Sequence, residues 1–371
     1  MPTYSIKRLN NEYFQKMEVE WSKCLSISEG DPLFSSWKWQ LTWWKIWQAR
    51  LNLTLSIYGI FNGDILEGIA PCYTYICHNQ LGIKIKRCEL IGNYSYNNDS
   101  IRSEYLNFIL PKKKAKEFLP LIFSTLEKLE VDQLILKDMN AKSQIAILLS
   151  NTFPKNIQST DKGIKIKCIE PFKSYLEKLG KNTRLKLFSR RKLLEPYQVV
   201  EVKTDTELTE FFDSLNKMHL VRWGNNCFSS HSLEFHTIIA KHYLNQNQLK
   251  ALCLYKDNEI QAVCYDIKAG DTLYNIQLGF KQYPSNKISL GTLTLGVAIE
   301  QAHQNHKIEY YDLLAGNGKN TFYKDRLQGD IQNFITFDLP LSRKQAVYSS
   351  IIKKLKKLKK FKSFFNKIKI I

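Results

Sequence analysis

With 371 residues, 44% hydrophobic and 12% aromatic, the chain has enough apolar material for two domains with their own cores. Its net charge of +19 is concentrated: residues 343–371 hold eleven basic residues and no acid, and residues 173–192 hold eight against Glu177. The rest is close to neutral, which excludes a general nucleic-acid-binding face and points to two local anion contacts; no apolar run reaches the roughly 18 residues of a membrane helix.

Residues 1–10 carry no apolar signal-peptide core, so a cytoplasmic setting is expected. The eight cysteines show neither a CxxC pair nor a metal-like Cys/His spacing, so reduced core thiols and no metal are expected.

Residues 4–9 read as a strand. Residues 11–24 read as a helix, with Phe14, Met17 and Trp21 at helical spacing. Asp31-Pro32 is a turn. Ser35 or Ser36 then caps a Trp-rich helix over 34–47, whose Trp37, Leu41 and Trp44 share a face that Trp43, Ile46 and Trp47 widen. This is a buried helix or an aromatic wall for a sugar or acyl ligand; the large ring and its N–H suit both.

A hairpin follows, 53–61 and 65–76 around Asn62-Gly63-Asp64. Then come a strand over 83–91, a Tyr/Asn-rich loop over 93–102, a strand over 105–109, a helix over 112–129, a strand over 133–136 and a helix over 143–149. This order describes a mixed α/β domain, taken as 1–168.

Residues 172–195 form two helical pieces around Gly180. The second carries Arg184, Lys186, Arg190, Arg191 and Lys192, either a solvated face or a phosphate clamp using arginine's forked donors. The α/β order then restarts: strand 199–203, helix 205–222 running into His219-Leu-Val-Arg222-Trp223, helix 233–243, hairpin strands 249–255 and 260–268, and a strand over 273–280. The two halves read as a pseudo-repeat. The second domain is taken as 169–342 and a basic tail as 343–371.

The densest chemistry lies in 273–329. Tyr274, Ile276 and Leu278 alternate along a strand, which a polar loop ends. Ser289 then caps a helix opening Ser289-Leu290-Gly291-Thr292, where Gly291 would admit a ligand and the free N–H groups would attract a phosphate. A strand ending in Asp312 and a Gly-containing turn lead to Tyr323-Lys324.

The run RLKLFSRRKLLE, then HLVRW, LYNIQLGF, SLGTLTLGVAIEQA, YYDLLAG and FYKDRLQG resembles the CelD/FemAB-type branch of the GNAT acyltransferase superfamily over roughly residues 31–329. The resemblance implies an α/β (α+β) fold of two tandem GNAT-like domains with mixed sheets, and acyl transfer to an amine or hydroxyl. CelD-like members are associated with polysaccharide and envelope metabolism. FemABX relatives use aminoacyl-tRNA and act on a peptidoglycan precursor; their Phe/Tyr-Lys motif is matched by Tyr323-Lys324. The family's pyrophosphate loop, Arg/Gln-x-x-Gly-x-Gly/Ala, is met here by Asn286-Lys-Ile-Ser-Leu-Gly291, with one glycine.

Such transfer needs a donor site, a base and an oxyanion partner. Ser289, Leu290, Gly291 and Thr292 suit acyl-CoA, the expected co-substrate. Asp312 is the candidate base or a structural cap of the Gly316 turn. Lys324 would neutralise the oxyanion, and Tyr323 would protonate the leaving group. His219, Arg222, Trp223, Arg190 and Arg191 would contact substrate. In the tail, Ile351, Ile352, Leu355, Leu358, Phe361, Phe365 and Ile368 recur every three or four residues among lysines. That pattern describes a basic amphipathic helix suited to an anionic membrane surface, to docking on the body, or to a disordered polybasic end.

The expected activity is acyl transfer to a cell-envelope sugar or lipid-linked polysaccharide precursor at the cytoplasmic face. The alternatives are a FemX-like aminoacyl-tRNA-dependent peptidyltransferase, with tRNA against residues 184–192, and a non-catalytic membrane- or partner-binding protein of the same fold.

Overall fold

The computed structural model describes residues 4–79, 82–96, 100–283, 287–316, 324 and 326–352. In chain order, β1 (Tyr4–Leu9) leads to α1 (Asn11–Lys16) and α2 (Glu18–Ser26). These are two helices rather than the one expected, because the backbone leaves helical geometry at Met17 (φ −90°, ψ 29°). The Trp-rich α3 (Trp37–Trp47) follows, with Ser36 Oγ accepting the Trp39 N–H at 3.2 Å. Next are β2 (Thr54–Asn62), β3 (Ile65–His78), β4 (Lys84–Leu90), α4 (Ala115–Lys128), β5 (Gln133–Asn140), α5 (Gln144–Thr152) and β6 (Ile157–Lys167). The strand expected at 105–109 is irregular chain with one bridge, Ile69 to Ile109, because Tyr105 sits at φ 57°. After α6 (Phe172–Lys178) and α7 (Lys181–Leu187) come β7 (Gln198–Glu201), α8 (Asp205–Trp223), α9 (Ser230–Asn245), β8 (Leu249–Lys256), β9 (Glu259–Ala269), β10 (Thr272–Phe280), α10 (Leu290–Gln304), β11 (Tyr310–Ala315) and β12 (Asp330–Pro340).

The chain forms two compact units. The first contains residues 4–30, 47–159 and 335–352; the second contains 31–46 and 160–334. The cuts expected at 168/169 and 342/343 are therefore crossed by two segments. Residues 31–46 join the second unit because Trp39 packs edge-on against Phe34 and Phe235, each at 4.9 Å, and the Tyr274 hydroxyl donates to Asp31. The end of β12 joins the first unit, where the Gln133 amide donates to Asp338 at 2.6 Å and the Asp138 N–H to Thr336 at 3.1 Å.

Each unit repeats one plan. In the first, β1, β2, β3 and β4 run antiparallel in succession, α4 crosses over, and β5 pairs parallel to β4 over Arg87–Glu89 and Gln133–Ile135. In the second, β7, β8, β9 and β10 do the same, α10 crosses over, and β11 pairs parallel to β10 over Thr272–Tyr274 and Tyr310–Asp312. A parallel pair requires such a crossover, whereas antiparallel neighbours need only tight turns. Asn62, Gly63 (φ 60°) and Asp64 make one such turn.

The second core forms where α10 lays Leu295, Ala298 and Ile299 over Leu252, Leu273, Tyr311 and Leu313. Each large apolar side chain so enclosed contributes about 1.5–3 kcal/mol. Trp39, Trp43, Trp44 and Trp47 are also enclosed. Their indoles are packing groups, and the ligand-wall reading of the Trp-rich helix does not hold for them. None of the eight cysteines, all among the described residues, is in a disulfide, and all but Cys227 are buried.

Candidate active site

The second unit gathers the expected site residues into two groups. One surrounds the first turn of α10. β10 and β11 pair only as far as Tyr274 and Asp312, so β10 continues towards Phe280 beyond that ladder, with a bulge between Asn275 and Gln277. α10 begins beyond the end of β10. Its first N–H groups, from Leu290 to Thr292, have no acceptor within the helix and carry the positive end of its dipole. Ser289 and Thr292 place their hydroxyls 2.9 Å apart at this end. The Arg190 guanidinium donates to the Lys287 carbonyl, two residues before Ser289. The Arg222 guanidinium lies 4.3 Å from the Phe280 ring centroid and 5.1 Å from that of Trp223. The arrangement offers backbone donors, hydroxyls and cations to an anionic donor group, which suits the phosphates of an acyl-CoA.

Two expectations change here. Gly291 is buried, and a Cβ on it would lie 2.4 Å from Phe280 Cδ1 and Cε1. The Phe280 ring alone leaves no room for a side chain at this position. Leu290 likewise packs in the core with Ile288, Leu293 and Leu254, so only its backbone is available. Arg191 is no open clamp: it pairs with Glu300 on α10 and lies 5.1 Å from the Phe188 ring. The reason is close helix packing, since a Cβ on Gly296 would meet the Leu187 carbonyl oxygen at 2.2 Å. The basic segment thus divides, with Arg191 holding α10 and Arg190 reaching its start. His219 Nδ1 lies 2.8 Å from the Asn225 carbonyl, within the turn that Gly224 (φ 75°) opens after α8. Trp223 beside it is 63% exposed.

The second group lies at the end of β11. Asp312 is fully buried and accepts the Leu314 N–H at 2.8 Å, stabilising Leu314 at φ 58°. Lys324 is also buried, and its ammonium donates to the carbonyls of Leu313 at 2.6 Å, Leu314 at 3.1 Å and Ala315 at 3.4 Å. It is not a surface lysine. Tyr323 lies outside the described residues.

Sequence reading missed two carboxyls. Asp31, read only as part of a turn, accepts the N–H groups of Leu33 and Phe34 and the hydroxyl of Tyr274. Burial pushes its carboxyl up to about 6 against those bonds, and the Asp312 charge adds to the rise. Asp266 on β9 takes bonds from Asn275 at 2.7 Å and Tyr311 at 2.8 Å, and burial pushes it up to about 7. An acid inside the apolar run Ala262–Ile267 was the available signal.

A meander, a crossover helix and a further strand paired parallel to the meander's last strand, found in both units, make a tandem GNAT-like fold. Residues 181–325, in the second unit, match the model of the acetyltransferase (GNAT) domain, so the second unit carries a domain of that family. No curated protein matches the chain. Among solved structures, it is similar to FemX, at 11% identity over 94% of this chain and 99% of that one, with a TM-score of 0.59. A conserved protein of unknown function from Bacteroides thetaiotaomicron VPI-5482 is 10% identical over 90% and 99%, with a TM-score of 0.53. A tandem GNAT protein from the clavulanic acid biosynthesis pathway is 7% identical over 92% and 99%, with a TM-score of 0.50. At these identities the likeness concerns the fold.

Proposed function

We propose that the second unit transfers an acyl group from acyl-CoA to an amine or hydroxyl of a cell-envelope sugar or lipid-linked polysaccharide precursor, in line with the association of CelD-like proteins with polysaccharide and envelope metabolism. The observation that carries the donor assignment is the start of α10, where first-turn N–H groups with no acceptor within the helix, Ser289 and Thr292 stand beside Arg190 and Arg222 beyond the end of β10. CoA phosphates bind there. The acceptor nitrogen or oxygen attacks the thioester carbonyl, the C–S bond breaks, and CoA leaves as a thiolate that takes up a proton, from Tyr323 in the reading the family implies. The acceptor's proton passes to Asp312, the candidate base at the end of β11. Lys324 holds a positive charge at the end of β11 and acts on the oxyanion through space.

The polysaccharide setting, the cytoplasmic face and membrane contact through residues 353–371 belong to this proposal. Calorimetric titration with CoA tests it. Wild type is expected to bind, and Arg190→Ala with Arg222→Ala to lose affinity tenfold or more, about 1.4 kcal/mol. Equal affinity would place the pyrophosphate elsewhere.

A second reading is favoured by the likeness to FemX across 94% of the chain. The donor is then an aminoacyl-tRNA, and the exposed Lys192 with Arg190 meets its phosphates.

A further inference from the structure

The first unit contains a cavity of about 490 Å3 between its strands and the helical residues 343–352. None of the residues assigned above to transfer belongs to it. Its wall is polar and held in place. Arg87 Nε donates to Gln133 Oε1 at 2.8 Å, and its Nη1 donates to the Tyr75 hydroxyl at 3.1 Å. The Gln133 amide group donates in turn to Asp338 Oδ1 at 2.6 Å, and the Asn156 amide donates to the Asp338 carbonyl at 2.9 Å. Gln158 and Tyr96 complete the lining used here, and the Tyr96 ring, 40% exposed, lies 6.0 Å from the Arg87 guanidinium.

Among the described residues, two groups on this wall are left over, Ser95 Oγ and Gln345 Oε1. Gln345, on the covering helix, is 1% exposed, and its Oε1 has no hydrogen-bond partner among the described residues. Leaving a buried acceptor unmade costs about 1–3 kcal/mol, so its retention beside a cavity points to a donor supplied from outside. The size falls within the range of small-ligand sites, which combine few fixed polar groups with a flat apolar surface.

We propose that this cavity binds a neutral sugar ring. Arg87 already serves Gln133 and Tyr75, and the Asp338 carboxylate stands beside it, so an anion would gain little there. A pyranose presents hydroxyls that both donate and accept. They match the amides of Gln133 and Asn156, which their bonds to Arg87 and Asp338 hold in place, and those of Gln158 and Gln345 beside them, and the ring's C–H face suits the exposed face of Tyr96. The proposal does not depend on the acyl-transfer reading, because it concerns binding alone.

The test is saturation-transfer difference NMR on the full chain. The probes are methyl α-glucopyranoside and the methyl glycoside of N-acetylglucosamine, with inorganic phosphate as competitor. Saturable binding of at least one glycoside is expected in the millimolar range, untouched by phosphate. Tyr96→Ala, at an exposed position, and Gln345→Leu are each expected to weaken it about tenfold, the worth of one well-made contact. If Gln345→Leu fails to fold, Tyr96→Ala decides alone. Absence of binding by both glycosides, binding unchanged in the folded variants, or displacement by phosphate would each overturn the proposal.

Discussion

Replacing Gly291 by alanine separates packing from ligand contact at the start of α10. The added methyl would stand 2.4 Å from two carbons of the Phe280 ring, well inside contact distance. Phe280 cannot simply withdraw, since it packs against the core cluster around Leu290 and Leu293 and lies under the Arg222 guanidinium. Overpacking of this kind costs about 1–3 kcal/mol. For a domain of this size that corresponds to about 2–4 °C of melting temperature per kcal/mol. Thermal melting of Gly291→Ala is therefore expected to show a clear loss of stability. CoA affinity should fall only to the extent that Arg222 moves with the ring. A variant that melts like wild type yet no longer binds CoA would refute this reasoning and restore a ligand-contact role to the glycine.

Lys324→Met removes the ammonium from three backbone carbonyls; turnover with the preferred donor is expected to fall at least tenfold in protein still folded at the assay temperature, and unchanged turnover would remove Lys324 from the mechanism. His236, stacked 4.1 Å from Phe228, is held by burial down to about 3 from its ordinary 6.5. Its unfolded form binds the proton first, so it contributes stability above pH 6.5 that is lost as pH falls towards 3. Urea midpoints at pH 7 and 5 should show His236→Phe losing about 2 kcal/mol less than wild type on acidification, whereas parallel losses would count against this. Asp31 and Asp266, raised by burial, change stability in the opposite direction but are common to both proteins. Deleting residues 353–371, which hold nine lysines, is expected to abolish salt-sensitive co-sedimentation with anionic vesicles. The cut spares Gln345 and Ile352, which line the first unit's cavity; undiminished sedimentation would exclude the tail as anchor.

Periodicity made the hairpins, the long helices and the repeated order legible, because alternation and helical spacing follow directly from one buried face. β6 and β12 gave little signal. Most of β6 is exposed or half-exposed, and in β12 the first four residues are exposed or half-exposed while the adjacent Thr336 and Phe337 are both buried, which breaks the alternation. Tyr105 was misread because its apolar run suits a strand while its φ of 57° does not. Ser289 and Arg222 stand at element ends, as their sequence positions indicated, although the Ser289 hydroxyl meets Thr292 and makes no cap bond. Site residues were misjudged where packing set the identity: Gly291 answers to Phe280 and Arg191 to Glu300, and neither neighbour is near in sequence. Asp31 was overlooked because its partner Tyr274 lies 243 residues away.

The central claim is acyl transfer from a CoA thioester. Purified full-length protein incubated with radiolabelled acyl-CoA and a cell-envelope glycan extract, and separately with charged tRNA and the same extract, tests it most directly. The account predicts label moving to the extract from acyl-CoA, and losing that transfer when Arg190 and Arg222 are replaced. Transfer from charged tRNA alone, or from neither donor, would contradict it.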